Sequence, residues 1–233
     1  MLYLHEIIDI IGTGQEPYLQ TVAERAAHSE AQHLSRLVGT WKVIGSTNRW
    51  PRVVNLWEMD GWAQWAETLA RQHLPEHKDP ALAPWWAQAT TWRSGGFDRI
   101  LEPARYCPTR DELHQRGVRA WVCVHTLIRL VSGRLHEYIE AVGDTLQPLL
   151  AARGLTLMGA YRVPMRSDEA LVLWAAPDFR TLCAVYEGRA NDAELRRWNT
   201  RIAPLRREFD TMWLVPSEQC FFHPRYAGAP PGR

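Results

Sequence analysis

Two stretches of this chain answer one another residue by residue, and that repeat limits the fold more than any other feature. Tyr3-Leu4-His5-Glu6-Ile7-Ile8 matches Cys123-Val124-His125-Thr126-Leu127-Ile128, which places His5 over His125. At the same spacing, Glu16-Pro17-Tyr18-Leu19-Gln20-Thr21-Val22 falls on His136-Glu137-Tyr138-Ile139-Glu140-Ala141-Val142. Extra residues in the first copy then bring Val43-Ile44-Gly45 onto Leu157-Met158-Gly159. A longer hairpin in the second copy sets Leu56-Trp57 on Leu173-Trp174. Late in each copy Trp85 meets Trp198, Arg93 meets Arg206, and Leu101-Glu102-Pro103 meets Leu214-Val215-Pro216. The chain is therefore two copies of one unit, so a single polypeptide supplies both halves of a symmetric assembly.

Each copy has a readable order of elements. Residues 2–11 alternate and are rich in β-branched side chains, which predicts a strand. Pro17 suits a first helical turn, and the apolar spacing from Tyr18 to Val38 predicts an amphipathic helix that stops at Gly39. Thr40–Thr47 and Val53–Met59 read as a hairpin around Asn48-Arg49-Trp50-Pro51. Asp60 is placed to cap a helix over Gly61–His73. A polar stretch, Leu74–Pro84, leads to a Trp-rich helical segment, Trp85–Trp92, and a last strand near Asp98–Pro103. The second copy reads as strand 121–131, helix 134–153, strands 155–163 and 169–175, helices 177–188 and 191–209, and strand 211–216. That is βαββαβ twice, the split-βαβ plan of ferredoxin-like α+β domains. The expected layout is a first repeat at 1–104, a polar linker at 105–120, a second repeat at 121–226 and a frayed tail at 227–233.

A four-stranded antiparallel sheet with helices on one face leaves the other face bare, so two such sheets should face each other and close a barrel. Along the first strand of each copy the even positions (Leu4, Ile8, Ile10; Val124, Ile128, Leu130) are aliphatic and suit the helix side. The odd positions (Tyr3, His5, Ile7; Cys123, His125, Leu127) mix polar and apolar groups, as a lumen would. His5 and His125 should therefore project inward.

Composition narrows the function. The net charge of +1 gives no reason to expect nucleic acid or an anionic membrane surface. The four cysteines (Cys107, Cys123, Cys183, Cys220) lack CxxC spacing and read as reduced thiols. There is no apolar run of membrane-spanning length, and the N-terminus has no basic region before an apolar stretch, so a cytoplasmic protein without a signal peptide is expected. The 12 tryptophans stand out: they imply a large aromatic core or a cavity for flat apolar ligands. Gly12-Thr13-Gly14 lacks a third glycine, so a nucleotide cofactor is not expected.

The run Gly39-Thr40-Trp41-Lys42-Val43-Ile44-Gly45, Val54-Asn55-Leu56-Trp57 followed by Asp60, and the Trp-rich segment ending in Leu101-Glu102-Pro103 resemble the NIPSNAP family of the dimeric α/β-barrel superfamily. The second copy keeps Gly159, Leu173-Trp174 and Pro216 of that pattern. The resemblance implies a ferredoxin-like barrel. Its superfamily hosts cofactor-independent monooxygenases, isomerases and cyclases of polyketides, lyases, haem enzymes and proteins with no known activity, so it leaves the function open.

Within that frame His5 and His125 are the candidate acid/base pair, or else two satisfied barrel histidines. Trp57 and Trp174 are expected nearest the lumen, with Tyr3, Asn55 and Tyr161 able to orient a ligand. His73, Glu76 and His77 have the spacing of an inverted zincin motif but lie in a Pro-bounded polar stretch, where solvated loop residues are the better expectation. The leading expectation is a small enzyme without cofactor or metal, acting on an apolar, aromatic or polyketide-like metabolite held in the lumen. The alternatives are a non-enzymatic NIPSNAP-like binding protein and a haem barrel, and the tandem chain could dimerise again. The first copy, which retains more of the family pattern, is the expected working half.

Overall fold

The computed structural model describes residues 1–77 and 79–226; the expected tail at 227–233 lies outside them. Eight strands form one closed antiparallel barrel. They are β1 (Leu2–Ile10), β2 (Arg36–Val43), β3 (Arg52–Met59) and β4 (Arg93–Pro103), then β5 (Val122–Leu130), β6 (Thr156–Arg162), β7 (Glu169–Ala176) and β8 (Arg206–Pro216). Their order around the barrel is β1-β3-β2-β8-β5-β7-β6-β4. Each repeat contributes four contiguous strands, and the repeats meet at two short seams. At one, Trp41, Lys42 and Val43 pair with Pro216, Val215 and Leu214. At the other, Glu102 and Pro103 pair with Arg162 and Tyr161.

Helices cover the outside of each half-sheet: α1 (Gln15–Ala31), α2 (Trp62–His73) and α3 (Leu82–Ala89) on the first, α5 (Leu135–Ala141), α6 (Gln147–Ala151), α7 (Phe179–Asn191) and α8 (Ala193–Ile202) on the second. α4 (Arg110–Gln115) lies between the halves. The β1 alternation does what its period demands. Tyr3 and Ile7 join the interior cluster, while Ile8 and Ile10 pack under α1 with Tyr18, Leu19 and Val22.

Several local expectations are corrected. The first helix ends at Ala31, and His33 turns the chain with φ 54°. Leu34, Leu37 and Val38, spaced as on a helix, belong to the turn and to β2. Gly39 is a bulge residue within β2, where the register against β3 shifts between Leu37 and Gly39. The same shift against β7 falls between Leu157 and Gly159. The glycine matched to Gly159 is therefore Gly39 and not Gly45, Trp41 corresponds to Tyr161, and no extra residues separate the copies before that point. Each glycine is needed, because a Cβ there would overlap the aromatic ring two residues on, Trp41 or Tyr161. Asp60 does not cap α2; its N–H donates to Gln64 Oε1 at 2.7 Å and Gly61 stands at the cap. The helix expected over 134–153 is broken by a wide turn, Val142–Leu146, just before Pro148, whose missing N–H and ring prevent regular helical bonding. Pro204 likewise ends α8 before β8.

The segment between the repeats is not simply polar. Leu113, Val118 and Ala120 are buried in the barrel cluster beside Cys220, Phe221 and Phe222. The Ala120 N–H donates to the Phe222 carbonyl at 2.9 Å, so linker and C-terminal segment close one barrel mouth together.

Candidate functional site

His5 and His125 meet inside the barrel. Their Nε2 atoms lie 2.9 Å apart and their rings stack at 4.9 Å. One imidazole must donate and the other accept, which requires the accepting ring to be neutral. Burial holds both well below the usual histidine range, His125 at about 3, with its partner and the Arg99 guanidinium pushing His5 the same way and Arg99 pushing His125. Neither Nδ1 has a hydrogen-bond partner among the described residues. Both side chains are 1% exposed, sealed by the interior cluster of Tyr3, Ile7, Trp41, Leu56, Leu101, Leu173, Met212 and their neighbours. The inward projection expected for the pair is what the sheet produces; the open lumen is not. Large side chains fill it.

Tyr3 and Tyr161 also point into this interior, 5.0 Å apart. Tyr3 donates to Glu58 Oε2 at 2.8 Å, and Glu58 is further held by Arg36 at 2.5 Å and by the Arg110 N–H at 2.9 Å. Burial raises both phenols far above their ordinary range, so they titrate nothing near neutrality. Tyr3 and Tyr161 line a sealed core.

Asn55, Trp57 and Trp174 sit on the opposite face of the sheet. The position of Trp57 and Trp174 beside the lumen is corrected: they pack under the helices, Trp57 with Ile8 and Tyr18, Trp174 with Leu182 and Trp198. The reason is parity, since His5 pairs with Leu56 and His125 with Leu173, leaving Trp57 and Trp174 to point outward.

The two sheet–helix spaces have diverged. In the first half Glu6 is buried and accepts from Asn55 Nδ2 at 3.0 Å and Trp57 Nε1 at 2.7 Å. Thr40 donates to Asn55 Oδ1 at 2.6 Å. Arg25 reaches in from α1, 3.6 Å from Glu6, its guanidinium 5.0, 4.8 and 5.8 Å from the rings of Trp57, Trp85 and Trp86. An ion pair within an aromatic cage thus fills the space. Glu6 and Arg25 were missed in the sequence, yet both left a signal. A carboxylate interrupts the aliphatic alternation of β1, and Arg25 continues the buried stripe of Tyr18 and Val22.

In the second half the corresponding residues are Thr126, Tyr138, Thr145, Val172, Trp174, Trp198 and Asn199. All but Thr145 line a cavity of about 640 Å³ between the β5–β7 sheet and α5 to α8. Thr145 sits in the wide turn and accepts from Arg201 at 3.0 Å instead of filling the space. Leu146, Leu150, Leu182, Val185, Leu195 and Ile202 complete the apolar wall, with Tyr186, Arg189, Arg206 and Arg207 among the polar lining. The volume is that of a site for a small organic molecule. It lies in the second repeat, not the first, and on the helix side, not in the lumen. Its lining residues are aliphatic and aromatic like any core, so periodicity could not distinguish them.

His73 and His77 are not packed into a site, and no cluster of three or more His, Cys, Asp or Glu suited to a metal occurs among the described residues. No helix among them is long and apolar enough to cross a membrane.

No family model matches the chain, and no curated protein matches it. Solved structures do match. A protein described as anthrone oxidase-like aligns at TM-score 0.64 with 10% identity over 93% of this chain and 91% of its own. A "putative monooxygenase" from Lactobacillus acidophilus NCFM aligns at TM-score 0.61 with 11% identity, over 92% and 93%. A NIPSNAP domain protein from Burkholderia xenovorans, 20% identical, matches over 47% of this chain and 100% of its own at TM-score 0.39. The fold is that of the dimeric α/β barrels, with both halves in one chain.

Proposed function

We propose that this protein is a small enzyme that holds an apolar, aromatic or polyketide-like metabolite in the sheet–helix cavity of its second half and converts it without an organic cofactor. The observation that carries this reading is the cavity itself: about 640 Å³, walled by Trp174, Trp198, Tyr138 and aliphatic side chains, where the first half is filled. Flat apolar ligands gain from such walls through area burial and ring contacts. Tyr138, Tyr186 and Asn199 can orient a substrate by hydrogen bonds, and positioning is a large part of what such a site can contribute. The monooxygenase and anthrone-oxidase names of the structural neighbours support oxygenation as the reaction to test first.

The His5–His125 pair is then an internal tie between the halves rather than the acid/base pair, since it is sealed and its Nε2 atoms are committed to each other across the interface. For a haem, this lining offers Tyr138 and Tyr186 but no histidine, cysteine or methionine as an axial ligand.

Anthrone supplies a direct test. Its oxidation by O2 to anthraquinone and water should proceed faster with the protein than without, followed by oxygen uptake and quinone absorbance. A Val172→Trp variant that stays folded should lose both binding and turnover. Binding without turnover would favour the non-enzymatic alternative. Absence of binding by anthrone and by neutral polycyclic aromatics alike would overturn the reading.

A further inference from the structure

The cavity wall and the cavity edge are built from different residue types. Arg189, Arg206 and Arg207 stand among the lining residues, and the one carboxylate beside them, Glu208, is held by Arg129 at 3.1 Å. Arg189 lies instead over the ring of Tyr186, 3.8 Å from its centre, and Arg206 over Phe209 at 5.1 Å. Among the described residues none of these three arginines enters an ion pair. Arg206 is near enough to the Tyr138 phenol to oppose the upward push that burial gives its pKa, so its charge is felt inside the cavity and not only at the surface. The Tyr186 hydroxyl, also in the lining, is buried without a hydrogen-bond partner.

The first half shows what the same architecture does with a charge. There the carboxylate of Glu6 receives the chain's own Arg25. In the second half the corresponding positions are Thr126 and Thr145, so the buried carboxylate and the plugging cation are both gone. What stays is the cation at the edge, since Arg206 is the counterpart of Arg93. Unpaired guanidinium groups beside an apolar space of low dielectric attract an anion more strongly than they would in water, and their planar donors suit a carboxylate.

Resting on the reading that this cavity binds an apolar metabolite, we infer that the metabolite is an acid: a flat aromatic or polyketide-like body carrying a carboxylate that Arg206 engages, with Arg189 and Arg207 adding charge and the Tyr186 hydroxyl donating to an oxygen. The body fills the wall of Trp174, Trp198 and Leu195; the carboxylate stays at the arginine edge.

A matched pair of ligands separates this inference from the reading beneath it. Anthracene-9-carboxylate and 9-anthracenemethanol share the ring system and differ in charge. Both are titrated into the full-length protein at neutral pH, following quenching of tryptophan fluorescence. The carboxylate should bind at least tenfold more tightly, about 1.4 kcal/mol. Rising salt should weaken the carboxylate alone. Arg206→Gln should remove most of the preference, weakening the carboxylate far more than the alcohol. Arg207→Gln, at an exposed position, should narrow it by a smaller factor. Equal affinities for the two ligands, or a preference untouched in a folded Arg206→Gln protein, would overturn the acid while leaving the cavity reading intact. Failure of both ligands to bind would overturn the cavity reading and the acid with it. Binding that persists in the Val172→Trp variant would show that the probes sit elsewhere and would overturn both.

Discussion

At the scale of single residues, the His5–His125 contact makes the sharpest claims. A buried hydrogen bond contributes modestly when both partners are present, but leaving one imidazole alone exposes the full cost of an unsatisfied buried group together with a void. His5→Ala and His125→Ala should each cost roughly 2–4 kcal/mol in urea unfolding. The paired His5→Leu/His125→Leu variant should cost clearly less than the sum of the His5→Leu and His125→Leu single variants, because it removes both polar partners and refills the space. Additive losses would show that the imidazoles do not depend on each other. The pair also sets a pH dependence. Both folded-state pKa values lie below the ordinary value of about 6.5, so the unfolded chain takes up protons that the folded chain refuses. The stability is therefore complete above about pH 6.5 and drains away as pH falls below it, for His125 down to about 3, by up to about 1.4 kcal/mol per pH unit per histidine. Unfolding midpoints between pH 7 and 5 measure this, and the double leucine variant should show a flatter profile. The inward direction of these histidines was legible from the β1 alternation alone. That they would be sealed together was not, because alternation says which way a side chain points and nothing about how far the opposite sheet reaches.

At the scale of elements, the bulged strands β2 and β6 carry the pseudo-symmetry most faithfully. Each places a glycine two residues before an inward aromatic, Gly39 before Trp41 and Gly159 before Tyr161, with a register shift at the same point. The ring lies back over the glycine, so an added methyl group meets it directly. Gly39→Ala and Gly159→Ala should each destabilise by about 1–3 kcal/mol, the range for overpacking a filled core, as read by thermal or chemical unfolding. Gly45→Ala serves as the comparison, since Gly45 lies beyond the end of β2, against Trp50. Equal effects at Gly39 and Gly45 would undo the assignment of Gly39 as the structural partner of Gly159. The strands and the repeat order could be read from sequence because a half-buried strand writes a period of two into its residues. The first helix was overextended because Leu34, Leu37 and Val38 keep helical spacing while the chain has already turned at His33. β4 was read too short because Ser94, Gly95 and Gly96 carry no alternation, although Gly95 and Gly96 pair with Asp9 and Ile8 and the register shifts past Ser94 to pair Arg93 with Ile10. The cavity stayed hidden for a related reason. Trp174 and Trp198 look like the core residues Trp57 and Trp85, and the smaller residues at the positions of Glu6, Arg25 and Trp86 leave space between them.

At the scale of the whole molecule, what joins the two repeats is not the strand pairing. The seams comprise three register pairs at one edge and two at the other, short beside the full-length pairing of β1 with β3 and β5 with β7. The join is the filled interior, to which both half-sheets, the linker residues Leu113, Val118 and Ala120, and the C-terminal Phe221 and Phe222 all contribute. Large apolar area removed from water across an interface favours a permanent association, whether or not one chain connects its sides. The covalent link should then be dispensable once the barrel has formed. A protease site placed at Arg116–Gly117, where Gly117 is exposed with a left-handed φ of 62°, allows the linker to be cut after folding. The cut protein should elute from size-exclusion chromatography as one particle of the original size and keep its affinity for aromatic probes. Its unfolding should become concentration-dependent, as mass action requires of two separable chains. The first half expressed alone, with Tyr3, Ile7, Trp41, Leu56 and Leu101 facing water, should self-associate or precipitate unless the second half is co-expressed. Separation of the cut halves in plain buffer would mean that the interior does not hold the barrel, and the work of joining would return to the linker.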